Sequence, residues 1–554
     1  MSKLLKTLSL AAALAFMAIP CAKAEGFSGA FLAAKSANLA NDYAEAAYYY
    51  TQAMAAEPDN AYLMQGAIFT LVASGDVMAG NAIARKMAAA GINDESAQTV
   101  LIAQAFERAA FDTVLGLLAD ENADLNPLIK QVATGWALIG RGDIEAGLDA
   151  FTEHAENEAI AAFGLYNKGL ALAYTGDFAA ADAVFQTGEA YVNRGAVLAH
   201  AQIMAKLGRA DEALAFLMSG TGANIIDREA DALRAALSDG GPIEFDRIES
   251  PKEGVADIFL VLADALKSDN SGRLALFYAR LSTFLQPDNA DALLLIGDIL
   301  TNQSQFALAL KAYDAVPTSH PLALDAKMGR ALNLRQNGQL DEAVETLRAA
   351  LDIQPNSITL RQSLGDVLRQ SGQPEAATEA YTAAIGLLPS ADIRPAWRLF
   401  YSRAIVEQRA GDWPAAEVDF RHALSLNPDQ ADVLNYLGYS LVDRGEQLDE
   451  ALGMIETAAK ARPDSGAIAD SLGWVYYRLG RYDEAEAAME TAVKLLPVDP
   501  ILSDHFGDVL WVVDRKREAR FQWRRALSYG PEAQDAARIR DKLARGLDAV
   551  LADE

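Results

Sequence analysis

The sequence predicts an all-α fold, an array of helix–turn–helix units stacked into a solenoid and closed by a capping helix. The first observation is a ruler of prolines. Pro287, Pro321, Pro355, Pro389, Pro428, Pro463, Pro497 and Pro531 recur at steps of 34 to 39 residues, and a fixed period of that size is the signature of a repeat architecture. The second is a row of small residues that keeps the same step: Gly297, Ala331, Gly365, Ala404, Gly438, Gly473 and Gly507. The third is a parallel row, Ala309, Ala343, Ala377, Ala416, Ala451, Ala485 and Ala519.

Each element of the unit has a mechanical reason. A period near 34 residues holds two antiparallel helices of about 12–14 residues with short turns. Where two helices cross, a side chain larger than methyl pushes their axes beyond the ~8–10 Å packing distance, so Gly or Ala stands at the crossing. Four residues after second-row alanines come bulky residues that fill the adjoining space: Tyr313, Leu347, Tyr381, Phe420, Met489 and Trp523. Proline follows the second helix, because a fixed φ and a missing N–H stop the helix there. The turns between helices are polar and carry glycine, as in Gln336-Asn337-Gly338-Gln339 and Arg409-Ala410-Gly411-Asp412.

The pattern gives about six units over 26–225 and about eight over 254–533. The units near 60–93 and 94–126 fit it poorly. Segment 219–252 breaks the period: Ser219-Gly220-Thr221-Gly222 and Asp239-Gly240-Gly241-Pro242 bracket a short helical stretch from Arg228 to Leu237. The expected division is therefore an N-terminal array at 25–225, an irregular linker or degenerate repeat at 226–252, and a C-terminal array at 253–533. Beyond it, Ala536, Ile539, Leu543 and Leu547 share one helical face. That helix, with the tail to residue 554, should cover the edge of the last repeat, as solenoids require.

Composition narrows the function. The 554 residues carry 48 Lys+Arg against 76 Asp+Glu, a net charge of −28, and are 51% hydrophobic. This is a globular chain, and its acidic balance argues against nucleic acid as the partner, since phosphate contacts need a basic footprint. Lys3 and Lys6 precede an apolar run, Leu8 to Ile19, and Ala22-Lys23-Ala24 forms an A-x-A cleavage site before Glu25. Residues 1–24 thus read as a secretory signal cleaved after Ala24, placing the product in the periplasm. The second reading makes Cys21 the lipidated end of a lipoprotein. No later apolar stretch is long enough to span a membrane.

No chemistry of catalysis emerges. Cys21 is the only cysteine, which leaves no thiolate site after it. His154, His200, His320, His422 and His505 show no zinc-pair spacing. Asp120, Asn122 and Asp124 mimic the start of a calcium loop, but Leu125 stands where glycine is needed and Gln131 where glutamate is needed. Neither enzyme activity, nor a cofactor, nor a metal is expected.

The unit Ala469, Leu472, Gly473, Tyr476, Gly480, Tyr482, Ala485, Met489, Ala492 and Pro497 resembles the tetratricopeptide repeat. The resemblance implies a right-handed superhelix whose first helices line a concave, partner-binding groove. Carried onto that groove's positions, it singles out Tyr401, Asn435, Tyr439, Asp470, Trp474, Tyr477, Asp504, Asp508 and Trp511, with Arg398 and Asp432 beside them. Amide and carboxylate groups would bond an extended peptide, and the rings would take its side chains. The competing reading packs some of these rings between repeats. The chaperone-binding members of the family clamp a carboxylate terminus with Lys and Arg; here that row is Asn and Asp, which implies neutral or cationic segments.

Residues 515–545 stand apart, with ten cations against four carboxylates. Arg515, Lys516, Arg517, Arg520, Arg524 and Arg525 form a candidate dock for an acidic partner, or else a solvated cap. Finally, Asn435-Tyr436-Leu437-Gly438-Tyr439, Asp443-Arg444, Leu448-Asp449-Glu450-Ala451, Asp470-Ser471-Leu472-Gly473-Trp474 and Gly507-Asp508-Val509-Leu510-Trp511 resemble a group of proteobacterial envelope repeat proteins over about 430–530. One type is an outer-membrane lipoprotein adaptor that binds a carboxyl-terminal-processing protease and delivers cell-wall hydrolases to it. The expectation is a non-enzymatic periplasmic scaffold that links an envelope protease or wall enzyme to its clients. The alternative is a structural part of a polysaccharide export or secretion apparatus.

Overall fold

The computed structural model describes residues 27–120, 125–153, 158–220, 227–267, 272–390 and 393–553. Residues 1–26, Cys21 among them, and Asn122, Asp124, His154 and residues 221–226 lie outside these. The described residues form α-helices from Phe27–Leu39 to Leu547–Leu551, with one short 3-10 turn and no strand, an all-α array of stacked helix pairs. It divides into two compact units, Met1–Thr346 and Leu347–Glu554. The division falls inside the helix Leu340–Ile353, not in the aperiodic segment 226–252.

The repeat interior follows from the two residue rows. A methyl group added to Gly297 would lie 2.5 Å from the Tyr313 ring, one on Gly365 2.6 Å from Tyr381, and one on Gly507 2.4 Å from Trp523. Real methyl carbons do not approach so closely, so glycine is what lets each ring lie flat on the facing helix. The ring's polar end is then tied down by the aspartate that follows the glycine. The Tyr313 hydroxyl donates to Asp298 at 2.7 Å, the Tyr381 hydroxyl to Asp366 at 2.7 Å, and Trp523 Nε1 to Asp508 at 2.9 Å.

In the first unit, helix pairs run from Phe27–Leu39 with Tyr43–Ala56 to Arg194–Lys206 with Ala210–Gly220. The helix pair Pro251–Leu266 and Arg273–Leu285 then packs against first helices of the early repeats. Phe277 stacks on Phe69 at 5.7 Å, Arg280 Nε donates to the Ala73 carbonyl at 3.2 Å, and Lys252 pairs with Glu107 at 3.0 Å. Gly254 sits so tightly on Trp136 that an added methyl would be 2.1 Å from the indole. A single apolar core therefore runs from Tyr43 to Tyr313. The helix Ala61–Ser74 buries Leu63, Met64, Ala67, Ile68, Val72 and Ala73, the composition of a helix enclosed on more than one side.

The aperiodic segment is pinned by charge. Asp227 caps the helix Arg228–Ser238 and pairs with Arg194 at 2.7 Å. The same guanidinium reaches Glu229 and, at 3.2 Å, Asp291. Arg228 pairs with Asp325 at 2.8 Å.

Candidate functional site

Every groove position expected from the sequence lies on the first helix of its pair in the second unit. Tyr401 is on Trp397–Arg409, Asn435 and Tyr439 on Ala431–Arg444, Asp470, Trp474 and Tyr477 on Gly466–Arg478, and Asp504, Asp508 and Trp511 on Pro500–Val512. The structure sorts all of these residues but Asn435 into three groups.

Tyr401 is packed among rings. Its centroid is 6.1 Å from those of Phe420 and Tyr436, and burial pushes its hydroxyl up to about 12.

The central group meets at a histidine. His505 Nδ1 lies 3.1 Å from Asp470 Oδ1, and its ring stacks on Trp474 at 4.1 Å and 14°. Trp474 stacks in turn on Tyr477 at 4.9 Å, and Tyr439 lies 6.4 Å from His505. Burial alone would depress His505, but the attraction of Asp470, with Asp504 and Asp508 adding to it, outweighs burial and holds the imidazole above its ordinary value. A cationic ring on an indole face gains cation–π attraction. Composition gave no sign of His505. The signal was its spacing of one repeat, 35 residues, from Asp470, which puts the two side by side on neighbouring first helices.

The third group is covered by the chain's own end. Lys542 Nζ, fully buried, lies 2.8 Å from Asp504 Oδ2 and 2.7 Å from Asp508 Oδ2. Trp511 Nε1 donates to Asp548 at 3.0 Å. Asp508, at 1% exposure, serves Lys542 and Trp523 and lies outside any open groove. Burial raises it to about 6, with Lys542 pulling the other way and Asp504 adding to the rise. The cap is two helices, Ala533–Arg545 and Leu547–Leu551. They break at Gly546, whose φ of +89° suits glycine and where a methyl would lie 2.7 Å from Trp511.

The basic stretch is largely engaged with its surroundings. Arg515 pairs with Glu486 and Glu518. Arg520 donates to the Leu543 carbonyl and lies 5.4 Å from the centre of the Trp511 ring. Arg525 donates to the Tyr529 hydroxyl at 2.7 Å. Lys516 is exposed, 3.8 Å from Asp514. Arg517 and Arg524 are exposed.

Three polar atoms on successive first helices are buried without a hydrogen-bond partner: Asn435 Oδ1, Trp474 Nε1 and Asp504 Oδ1. An unsatisfied buried group of this kind costs about 1–3 kcal/mol. Among the described residues no group of three or more His, Cys, Asp or Glu side chains is arranged to hold a metal ion, and no helix is long and apolar enough to cross a membrane.

Comparison with known proteins agrees with this architecture. The tetratricopeptide-repeat family pattern matches residues 294–358 and 440–500. A TPR repeat-containing protein of Pseudomonas aeruginosa is 30% identical over 187 residues, 34% of this chain and 31% of that protein. Bacteriophage adsorption protein A of Escherichia coli is 34% identical over 90 residues, 16% of this chain and 9% of that one. The chain thus spans less than a third of the length of these curated relatives. Among solved structures, one from the APC/C hetero-tetramer Cut9-Hcn1 aligns over 95% of this chain and 97% of its own at 15% identity and a TM-score of 0.39. A tetratricopeptide repeat protein from Parabacteroides merdae aligns over 46% of this chain and 97% of its own, at 17% identity and a TM-score of 0.38. Such repeats are in general non-enzymatic protein-interaction scaffolds, and no catalytic family is indicated.

Proposed function

We propose that this tetratricopeptide-repeat chain is a periplasmic scaffold that holds an extended segment of a partner protein along the first helices of its second unit. The observation that carries the reading is the row of half-buried Asn435, Tyr439 and Tyr477 on successive first helices. The same helices carry carboxylates, which favours neutral or cationic segments over an acidic tail. The resemblance of 430–530 to envelope adaptors makes a carboxyl-terminal-processing protease, or a wall hydrolase delivered to it, the partner to look for. The leader-like residues 1–24 support the location.

Affinity capture from an envelope extract tests the reading. The Asn435→Leu variant, and the double variant Asp470→Ala with Trp474→Ala, should lose the captured partner while keeping wild-type helicity. Unchanged capture by folded variants contradicts the groove assignment. Intact mass of the exported chain decides between an end at Glu25 and a lipidated Cys21.

A further inference from the structure

Independently of that groove, we propose that the first unit contains a binding site for a neutral, ring-bearing saccharide. A cavity of about 670 Å³ opens between the early repeats and the helix pair Pro251–Leu266 and Arg273–Leu285. That volume is in the range of small-ligand sites, about 300–1,000 Å³. The cavity exists because the later helix pair closes over the first helices without filling the space between them.

Its walls carry aromatic rings and its fringe carries polar groups. Tyr50, Phe69, Phe277 and Tyr278 line it, with Phe69 and Phe277 stacked on each other. Tyr62 stands at the rim, 47% exposed, held by Lys35, whose Nζ donates to its hydroxyl at 2.6 Å. Gly66 keeps the space open beside Tyr50, where a methyl would fall 2.7 Å from the phenol ring. Among the polar groups, Asn38 faces the Tyr50 hydroxyl, and its Oδ1 is buried without a partner. Gln65, Thr99 and Asn126 add amide and hydroxyl groups.

The chemistry of the lining selects the ligand. It contains one cation, Arg273, and one carboxylate, Glu95, so it offers no net field to a phosphate, a nucleotide or a polyamine. A purely apolar ligand would leave the Asn38 acceptor unsatisfied. A pyranose ring meets both demands: its axial C–H face lies against aromatic rings, while its hydroxyl edge donates to and accepts from amides, phenols and carboxylates. Burial keeps the Tyr50 and Tyr278 hydroxyls protonated at any physiological pH, with Tyr50 bonded to Tyr62 and Tyr278 to Glu95, so their oxygens can accept from such an edge.

The test uses the full chain and saturation-transfer NMR with cellohexaose and chitotetraose as probes, and a tyrosine-containing hexapeptide for comparison. Saturable binding of at least one oligosaccharide is expected. Tyr62→Ala and Asn38→Leu should each weaken it about tenfold or more, and Tyr482→Ala, in the second unit, should leave it unchanged. Asn38→Ala, which removes the acceptor without adding bulk, replaces Asn38→Leu if the latter fails to fold. The proposal is overturned if neither oligosaccharide binds, if the peptide alone binds, or if binding ignores both cavity variants. Because the groove variants at Asn435, Asp470 and Trp474 lie elsewhere, loss of one activity leaves the other measurable.

Discussion

At the scale of single residues, the recurring glycine does two opposite things in one chain. Gly507 faces the Trp523 ring, so an added methyl must displace the indole or the helix; Gly453 lies in a helix with nothing within 4 Å of such a methyl. Overpacking costs about 1–3 kcal/mol, whereas replacing an exposed helical glycine by alanine gains up to about 1 kcal/mol. Gly507→Ala should therefore lower the urea midpoint of the second unit and Gly453→Ala should raise it. The Gly–aromatic pairs were legible in the sequence because both members repeat at the same step. The role of Asp508 was not: groove position and ring-tethering position coincide there, and only the partner, Trp523, tells them apart.

His505 gives a prediction with a definite sign. Its folded-state value lies above the ordinary one, so the bond to Asp470 contributes in full below about pH 6.5, where the unfolded chain is protonated too. The contribution is lost as pH rises through the folded-state value. A charge-assisted hydrogen bond of this kind is worth about 1.5–3 kcal/mol. His505→Gln should accordingly cost most at mildly acidic pH, with the gap to wild type narrowing as pH rises. Asp508 acts in the same direction, since a carboxyl raised to about 6 loses stability on ionising between about pH 4 and 6. Urea titrations of both chains across pH 5–9 would show the narrowing; a gap independent of pH would refute the charged pair.

At the scale of elements, the C-terminal cap is more than an apolar lid. Its apolar face, with Ala536, Ile539 and Leu547 buried, was readable from periodicity. The buried Lys542 was not, because lysine in a run of ten cations reads as solvated surface until the two aspartates beneath it are seen. Breaking a buried ion pair by removing one partner costs about 3–5 kcal/mol. Lys542→Ala should therefore release the cap, seen as lost hydrogen-exchange protection across Ala533–Arg545. Retained protection would mean that apolar burial holds the cap without the ion pair. The same logic explains the basic stretch, where Arg515, Arg520 and Arg525 find carboxylates, carbonyls or rings close by and leave mainly Lys516, Arg517 and Arg524 outward.

At the scale of the whole molecule, the repeat period gave the fold class but not the use of each unit. Repeats near 60–126 match the pattern poorly because their first helices serve two interfaces, one to neighbouring repeats and one to the helices that follow residue 250. Phe69 and, in the next repeat, Trp136 answer to that second contact as well as to the period, and a single sequence does not reveal it. In the second unit the first helices keep half-buried polar and aromatic groups, Asn435, Tyr439 and Tyr477, in register from one repeat to the next, where a partner segment would meet them. A photo-crosslinking residue placed in living cells at Asn435, with a control at Val418, 68% exposed on a second helix, measures this directly. A discrete protein adduct is expected from position 435 and none from 418. Adducts absent from both, or equal at both, would contradict it.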